Sequence, residues 1–234
     1  MLILNQTHMI EDIEIPEEVP LMTLSDAVLF PQAIMPLFIF EPRYRKMLRD
    51  VLPENRILAI ATLDQRTKEA THTEAFYPVA GIGVIRACKQ NPDGNSNLIL
   101  QGIARVRFES ITREKPYRTA RIRRIVSHPG GSEEQMLSTK KQLIYLIRTQ
   151  RRLGAKIPKE IIEFLSNVNA TEELLDLAIY ILCSSTSLKL ELLETSAVIP
   201  RFKKFELFLE KEILQLKLNS KLKGNLNDDD IGNN

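Results

Sequence analysis

Short β-branched and apolar runs separated by turn signals fill the front of the chain, and longer apolar stripes at helical spacing fill the rear, with the change near position 128. The front pattern predicts strands over Pro20 to Leu24, Ile34 to Phe40, Ile57 to Leu63, Val79 to Cys88, Leu98 to Gly102, Val106 to Ile111 and Tyr117 to Val126. Asn91-Pro92-Asp93-Gly94 predicts a hairpin turn, because proline presets φ and Asp-Gly tolerates a left-handed corner. In Ala104 to Phe108 apolar and charged residues alternate, which predicts a half-buried strand with Val106 and Phe108 on one face and Arg105 and Arg107 on the other. One helix is expected in this part: Glu41 at its N-cap, Pro42 at N1 where no N–H is needed, Pro53 as its stop, and Tyr44, Met47, Leu48 and Val51 along one stripe.

The rear opens with Ser132-Glu133-Glu134-Gln135, a capping box, followed by Met136, Leu143, Leu146, Ile147 and Leu153 at helical spacing and Gly154 as a stop. Pro158 starts a second rear helix. Thr171-Glu172-Glu173-Leu174 caps a third with a Leu174, Ala178, Ile181, Leu182 stripe, and Ser187 caps a short fourth. A last helix from Ile199 to Leu222 carries Phe202, Phe205, Leu209, Ile213 and Leu216 as a seam, and the residues after Leu222 are polar enough to predict a disordered tail. The expected division is an N-terminal extension over 1–18, a β domain over 19–128, a helical bundle over 129–222 and the tail over 223–234.

Charge narrows the chemistry. Lys and Arg number 32 against 30 Asp and Glu, a net charge of +2 that removes the usual argument for a polyanion binder. The uncharged stretch Ala27 to Phe40 is broken by Pro31 and Pro36, so no membrane helix is expected, and no basic leader precedes a cleavage site. Cys88 and Cys183 fall in a strand and a helix and fit thiols in a reducing, cytoplasmic compartment. His8, His72 and His128 have no cysteine or carboxylate at ligand spacing, so no metal is expected. There is no P-loop, and Gly81-Ile-Gly83 lacks the third glycine and the strand–turn–helix context of a dinucleotide site, so no cofactor is expected either. Ser184, Ser185 and Ser187 read as helix-capping hydroxyls rather than nucleophiles.

Phe30-Pro31 and the block Met35-Pro36-Leu37-Phe38-Ile39-Phe40-Glu41-Pro42-Arg43-Tyr44-Arg45-Lys46-Met47-Leu48 resemble the signature of the N-terminal, substrate-binding domain of Lon proteases. The resemblance continues through Val79 to Ile85, Leu100 to Phe108, Pro116 to Ile122, and the rear segments Ile157 to Ile162 and Glu212 to Leu218. It implies an α+β fold, a PUA-like β pseudo-barrel followed by an α-helical bundle, and a role in recognising unfolded or tagged polypeptides. In a full Lon protease an ATPase module and a Ser-Lys peptidase module follow; this sequence ends where they would begin, so a stand-alone, non-catalytic module is the expectation.

A β module can capture peptide by edge-strand addition or in an apolar groove. Met35, Phe38, Phe40 and Tyr44 are the candidate groove residues, while Glu41, Pro42 and Arg43 at the loop-to-helix junction, with Gly102 and Arg105, are candidates for structural roles. The expected partners are unfolded or hydrophobic polypeptide segments, with an adaptor role beside a Lon-type protease and a homodimer through the last helix as further readings. RNA binding is the alternative, resting on Arg118, Arg121, Arg123, Arg124, Arg148, Arg151, Arg152 and Lys156, and the near-neutral charge weighs against it.

Overall fold

The computed structural model describes residues 13–64 and 75–229, with side chains as far as residue 222. His8, His72, the start of the expected N-terminal extension and the end of the expected tail lie outside the described residues. Six strands form one mixed sheet: β1 (Glu18–Leu24), β2 (Ile34–Ile39), β3 (Ile57–Thr62), β4 (Val79–Gln90), β5 (Ser96–Arg113) and β6 (Thr119–Ile125). Their order is β2-β5-β4-β3-β1-β6, and β6 pairs again with β5. The second pairing closes β5, β4, β3, β1 and β6 into a ring and leaves β2 outside it. Only β1 and β3 run parallel. With six helices among the described residues, the architecture is the α+β class that the sequence predicts.

The ring interior shows why these strands have their composition. Leu21, Ile57, Ile82 and Val106 fill it together with Ala59, Ala61, Ala80, Ala104 and Ala120, all buried. The small residues let opposed strands approach while the branched ones occupy the space left. β3 is buried along its whole length, which explains a run without polar alternation.

β5 corrects the sequence reading. Leu98 to Gly102 and Val106 to Ile111 are not two strands but parts of one, with a register shift in its pairing opposite Ile82 and Gly83. Gly102 reads as a break, yet it serves a close crossing: a Cβ there would fall 2.0 Å from the Phe30 carbonyl oxygen, and one on Gly81 would fall 2.0 Å from that of Leu29. Gly81 of the Gly81-Ile-Gly83 pair is thereby explained as a place where backbone passes over backbone, while a Cβ on Gly83 would meet Leu100 Cγ at 2.7 Å. The Ala104 to Phe108 stretch is not half-buried as expected either. Arg105 is buried, and Arg107 pairs with Glu194, so the second face of the strand is also covered at this point.

The turn at Asn91 to Asn95 forms as predicted: Gly94 has φ +82° and its N–H donates to the Asn91 carbonyl at 3.0 Å. α1 (Pro42–Val51) follows Glu41 with proline in its first turn, and its buried residues are the four of the predicted stripe, Tyr44, Met47, Leu48 and Val51. Glu41 makes no capping bond through its side chain.

The chain separates into two compact units. One holds the strands, α1 and the segment Ser185–Glu194; the other holds Ser127–Ser184 and the part from Thr195 onward. The short helix α5 (Thr186–Glu194), which the sequence places with the rear helices, therefore groups with the strands, where it packs on β4 and buries Leu190, Leu192 and Leu193. Its cap is Ser185 rather than Ser187: the Leu188 N–H donates to Ser185 Oγ at 3.3 Å.

In the second unit α2 (Glu133–Arg152) begins with the predicted capping box. Gln135 N–H donates to Ser132 Oγ, Ser132 N–H donates to Gln135 Oε1 at 2.8 Å, and Gly154 sits just past the end with φ +97°. α3 (Lys159–Ser166) follows Pro158. In α4 (Thr171–Leu182) Thr171 is the first helical residue rather than the cap, and burial covers Leu174 through Ile179 while Ile181 is exposed. The predicted stripe fails there because this helix is covered on more than one side. α6 runs Val198–Asp229, past the Leu222 expected as its end, since Gly224 by itself lowers helix propensity without stopping a helix already formed.

Candidate functional site

Alternation along β2 divides the candidate groove residues. Met35 is 7% exposed and Ile39 3%, whereas Ile34 and Phe38 face outward, Phe38 at 54%. Period two makes two faces from one strand, and only one of them can pack on the core. Met35 therefore belongs to the interior. So does Tyr44, 5% exposed on α1, whose hydroxyl accepts from the Thr23 N–H at 3.0 Å and bonds Thr23 Oγ1 at 2.9 Å. Phe38 and Phe40, the latter 60% exposed, remain on the surface with ring centroids 6.2 Å apart and planes 28° from parallel.

The sheet register builds a surface around Phe38. On β5 Ile99 lies opposite Pro36 and Asn97 opposite Phe38; on β4 Ala87 lies opposite Ile99 and Lys89 opposite Asn97. Directly opposed residues share a face. Two parallel rows three strands wide result, Pro36–Ile99–Ala87 and Phe38–Asn97–Lys89. They line a depression of about 450 Å³ that also takes in Cys88. Its walls are mainly apolar, and its polar side chains are Asn97, Lys89 and the Cys88 thiol. Sequence pattern found Phe38 and Phe40 but not the β4 and β5 residues beside them, because the shelf is a property of register across three strands.

The edge of β2 is poorly suited to strand addition. β2 pairs with β5 alone, and Pro36 stands in its middle with no N–H to offer a further strand.

At the junction Arg43 Nε lies 2.9 Å from Glu41 Oε2 and the guanidinium sits 4.6 Å from the Tyr44 ring centroid. Pro42 occupies the first turn of α1. Further along α1, Asp50 accepts from Lys46 Nζ at 2.5 Å and from the Tyr117 hydroxyl at 2.9 Å. These two bonds, Lys46 first, hold the Asp50 carboxyl below its ordinary range; burial, then the bond to Asp50, pushes the Tyr117 phenol up. The cluster ties α1 to the segment before β6. Burial alone raises the Tyr180 phenol.

Of the arginines that carry the RNA reading, Arg118 pairs with Glu114, Arg121 with Glu18 and Arg123 with Glu109. Neither Cys88 nor Cys183 is in a disulfide, and Cys183 is buried at the end of α4. Among the described residues no group of three His, Cys, Asp or Glu side chains is placed to hold a metal ion, and no helix is long and apolar enough to cross a membrane. On α6, Leu214, Leu218 and Leu222 are exposed along the distal half.

Comparison with known proteins gives these features a setting. The model of the ATP-dependent protease La (LON) substrate-binding domain matches residues 18–211. Lon protease of Desulfosudis oleivorans is 28% identical over 218 residues, which cover 92% of this chain and 26% of that protein. Lon protease of Geobacter metallireducens is likewise 28% identical, over 227 residues. The chain thus spans about a quarter of the length of the curated relatives it matches. Among solved structures, the N-terminal domain of Mycobacterium avium complex Lon protease has a TM-score of 0.60 at 17% identity, covering 84% of this chain and 97% of that one. A Lon N-terminal domain protein from Xanthomonas campestris has a TM-score of 0.57 at 18% identity, covering 80% and 96%.

Proposed function

The chain belongs to the ATP-dependent protease La (LON) substrate-binding domain family, and from that premise we propose that it captures exposed hydrophobic segments of unfolded polypeptides on the shelf around Phe38. The observation that carries this reading is the pair of exposed, stacked rings of Phe38 and Phe40 beside an apolar depression. Exposed aromatic side chains next to a concavity are the commonest anchors of protein recognition, since they bury large area at small entropic cost. The segment is taken side chain by side chain in the groove, and an adaptor role, passing captured segments to a Lon-type protease, follows as part of the same proposal.

Phe38→Ser is expected to weaken binding of a permanently unfolded model protein about tenfold or more, which fluorescence anisotropy would read. Because the ring is more than half exposed, its loss should leave the unfolding midpoint nearly unchanged. Binding unaffected by the substitution would remove the shelf from the reading. The proposal extends to self-association along α6 through Leu214, Leu218 and Leu222. Leu218→Glu is expected to shift a dimer to monomer in sedimentation velocity, and a parent protein that sediments as a monomer at every concentration would dismiss that part.

A further inference from the structure

Lys89 stands at the end of the Phe38–Asn97–Lys89 row and lines the depression, where no aspartate or glutamate joins it. It has no ion-pair partner among the described residues. A second cation lies on the same strand. Arg86 occupies the bulge between Ile85 and Ala87, donates through Nε to Gln101 Oε1 at 2.6 Å, and keeps a buried Nη2 without a hydrogen-bond partner among the described residues. Asp93, at the tip of the hairpin, is turned inward: its two carboxylate oxygens accept from the Asn95 N–H at 2.9 Å and Asn95 Nδ2 at 2.7 Å. On the same unit Arg121 pairs with Glu18 and Arg123 with Glu109. The shelf is an apolar surface that carries Lys89 with no carboxylate among its lining residues.

We propose that the segment taken by the shelf pairs its apolar residues with an aspartate or glutamate side chain that Lys89 receives. This rests on reading the shelf as a peptide-capture surface and deepens it by naming the chemistry of the segment. The acidic group is an internal side chain rather than a chain-terminal carboxylate. Terminal carboxylates are captured by nests of free backbone N–H groups, whereas the backbone of β5, the middle strand of the shelf, is spent on its ladders with β2 and β4. A chain crossing the face of the sheet lays its apolar residues against Phe38 and Ile99 and presents its acidic neighbour to Lys89.

The test uses short labelled peptides with one shared apolar core, flanked by glutamate, by glutamine or by lysine, each with an amidated C-terminus, and the glutamine version also with a free one. Anisotropy titrations with the full chain are expected to rank glutamate about two- to fivefold tighter than glutamine and lysine weaker than both, as a partly exposed ion pair provides. The ranking should collapse near 1 M salt, where the Debye length is about 3 Å. Lys89→Glu should reverse it, with the lysine peptide preferred. Equal affinities for all amidated peptides in both proteins would overturn this inference and leave the shelf as a capture surface. No binding by any peptide would overturn the capture reading itself. A preference for the free C-terminus over internal glutamate would overturn the assignment to a side chain.

Discussion

Replacing Gly102 with alanine is expected to destabilise the strand unit by about 3 kcal/mol, at the upper end of what overpacking costs, because the clash is with backbone. The added Cβ would lie 2.0 Å from the Phe30 carbonyl oxygen, 2.9 Å from its carbon and 3.3 Å from Leu29 Cγ. A flexible side chain could swing away, but this loop cannot. The Gln32 N–H donates to the Gly102 carbonyl at 2.8 Å and the Gly102 N–H donates to the Ala33 carbonyl at 2.9 Å, so both polar groups of the glycine hold the segment that the new methyl would push. Leu29 and Phe30 are fully buried, and moving them opens the core. Gly154→Ala is the comparison: nothing lies within 4 Å of its Cβ, and only its φ of +97° resists substitution, a strain of about 1 kcal/mol. Urea unfolding followed by circular dichroism would measure both, with hydrogen exchange expected to place the Gly102→Ala loss in β2 and β5. A loss no larger than that at Gly154 would mean that the crossing is soft.

The same glycine shows what sequence could and could not reveal. Local signals were legible: the capping box at Ser132, the turn at Gly94, and the stripe of α1, each decided by residues within a few positions of one another. Long-range approach was not, and Gly102 looked like the end of a strand because the Phe30 backbone that requires it comes from elsewhere in the chain. The candidate site was legible by half. Alternation along β2 marks two faces without saying which is inside, so Met35 and Phe38 were equal candidates until the packing of β2 separated them. Tyr44 already stood on the predicted packing stripe of α1, and that stripe was the better guide. Lys89 gave no signal of its own, as an exposed lysine near a hairpin looks the same whether or not it borders an apolar depression.

Arg201→Met is expected to cost the helical unit about 3 to 5 kcal/mol, the usual loss when one partner of a buried ion pair is removed. Arg201 is fully buried and Asp176 is 1% exposed, with Arg201 Nη1 2.5 Å from Asp176 Oδ1. The guanidinium also donates through Nε to the Thr195 carbonyl at 2.8 Å and through Nη2 to Ser127 Oγ at 2.9 Å and the Ser196 carbonyl at 3.1 Å, with Glu172 at 3.5 Å. One side chain therefore joins the start of α6, the residues just before it, α4 and the segment ahead of α2. Sequence held a signal for it: Arg201 precedes Phe205, Leu209 and Ile213 at steps of four and so lies on the buried seam, while Asp176 is the lone charge within Leu174 to Ile179. A methionine fills part of the volume but leaves a buried carboxylate without its cation and two carbonyls without their donor, each expensive in a dry interior. Adding Asp176→Leu removes the stranded charge and is expected to return part of the loss, giving a coupling of about 1 to 3 kcal/mol in a double-mutant cycle. Full recovery is not expected, because the Thr195 and Ser196 carbonyls remain unserved. Hydrogen exchange should show α4 and the first turns of α6 losing protection while β5 keeps its own; additive losses in the cycle would show that the guanidinium acts through the carbonyls and that its pairing with Asp176 contributes little.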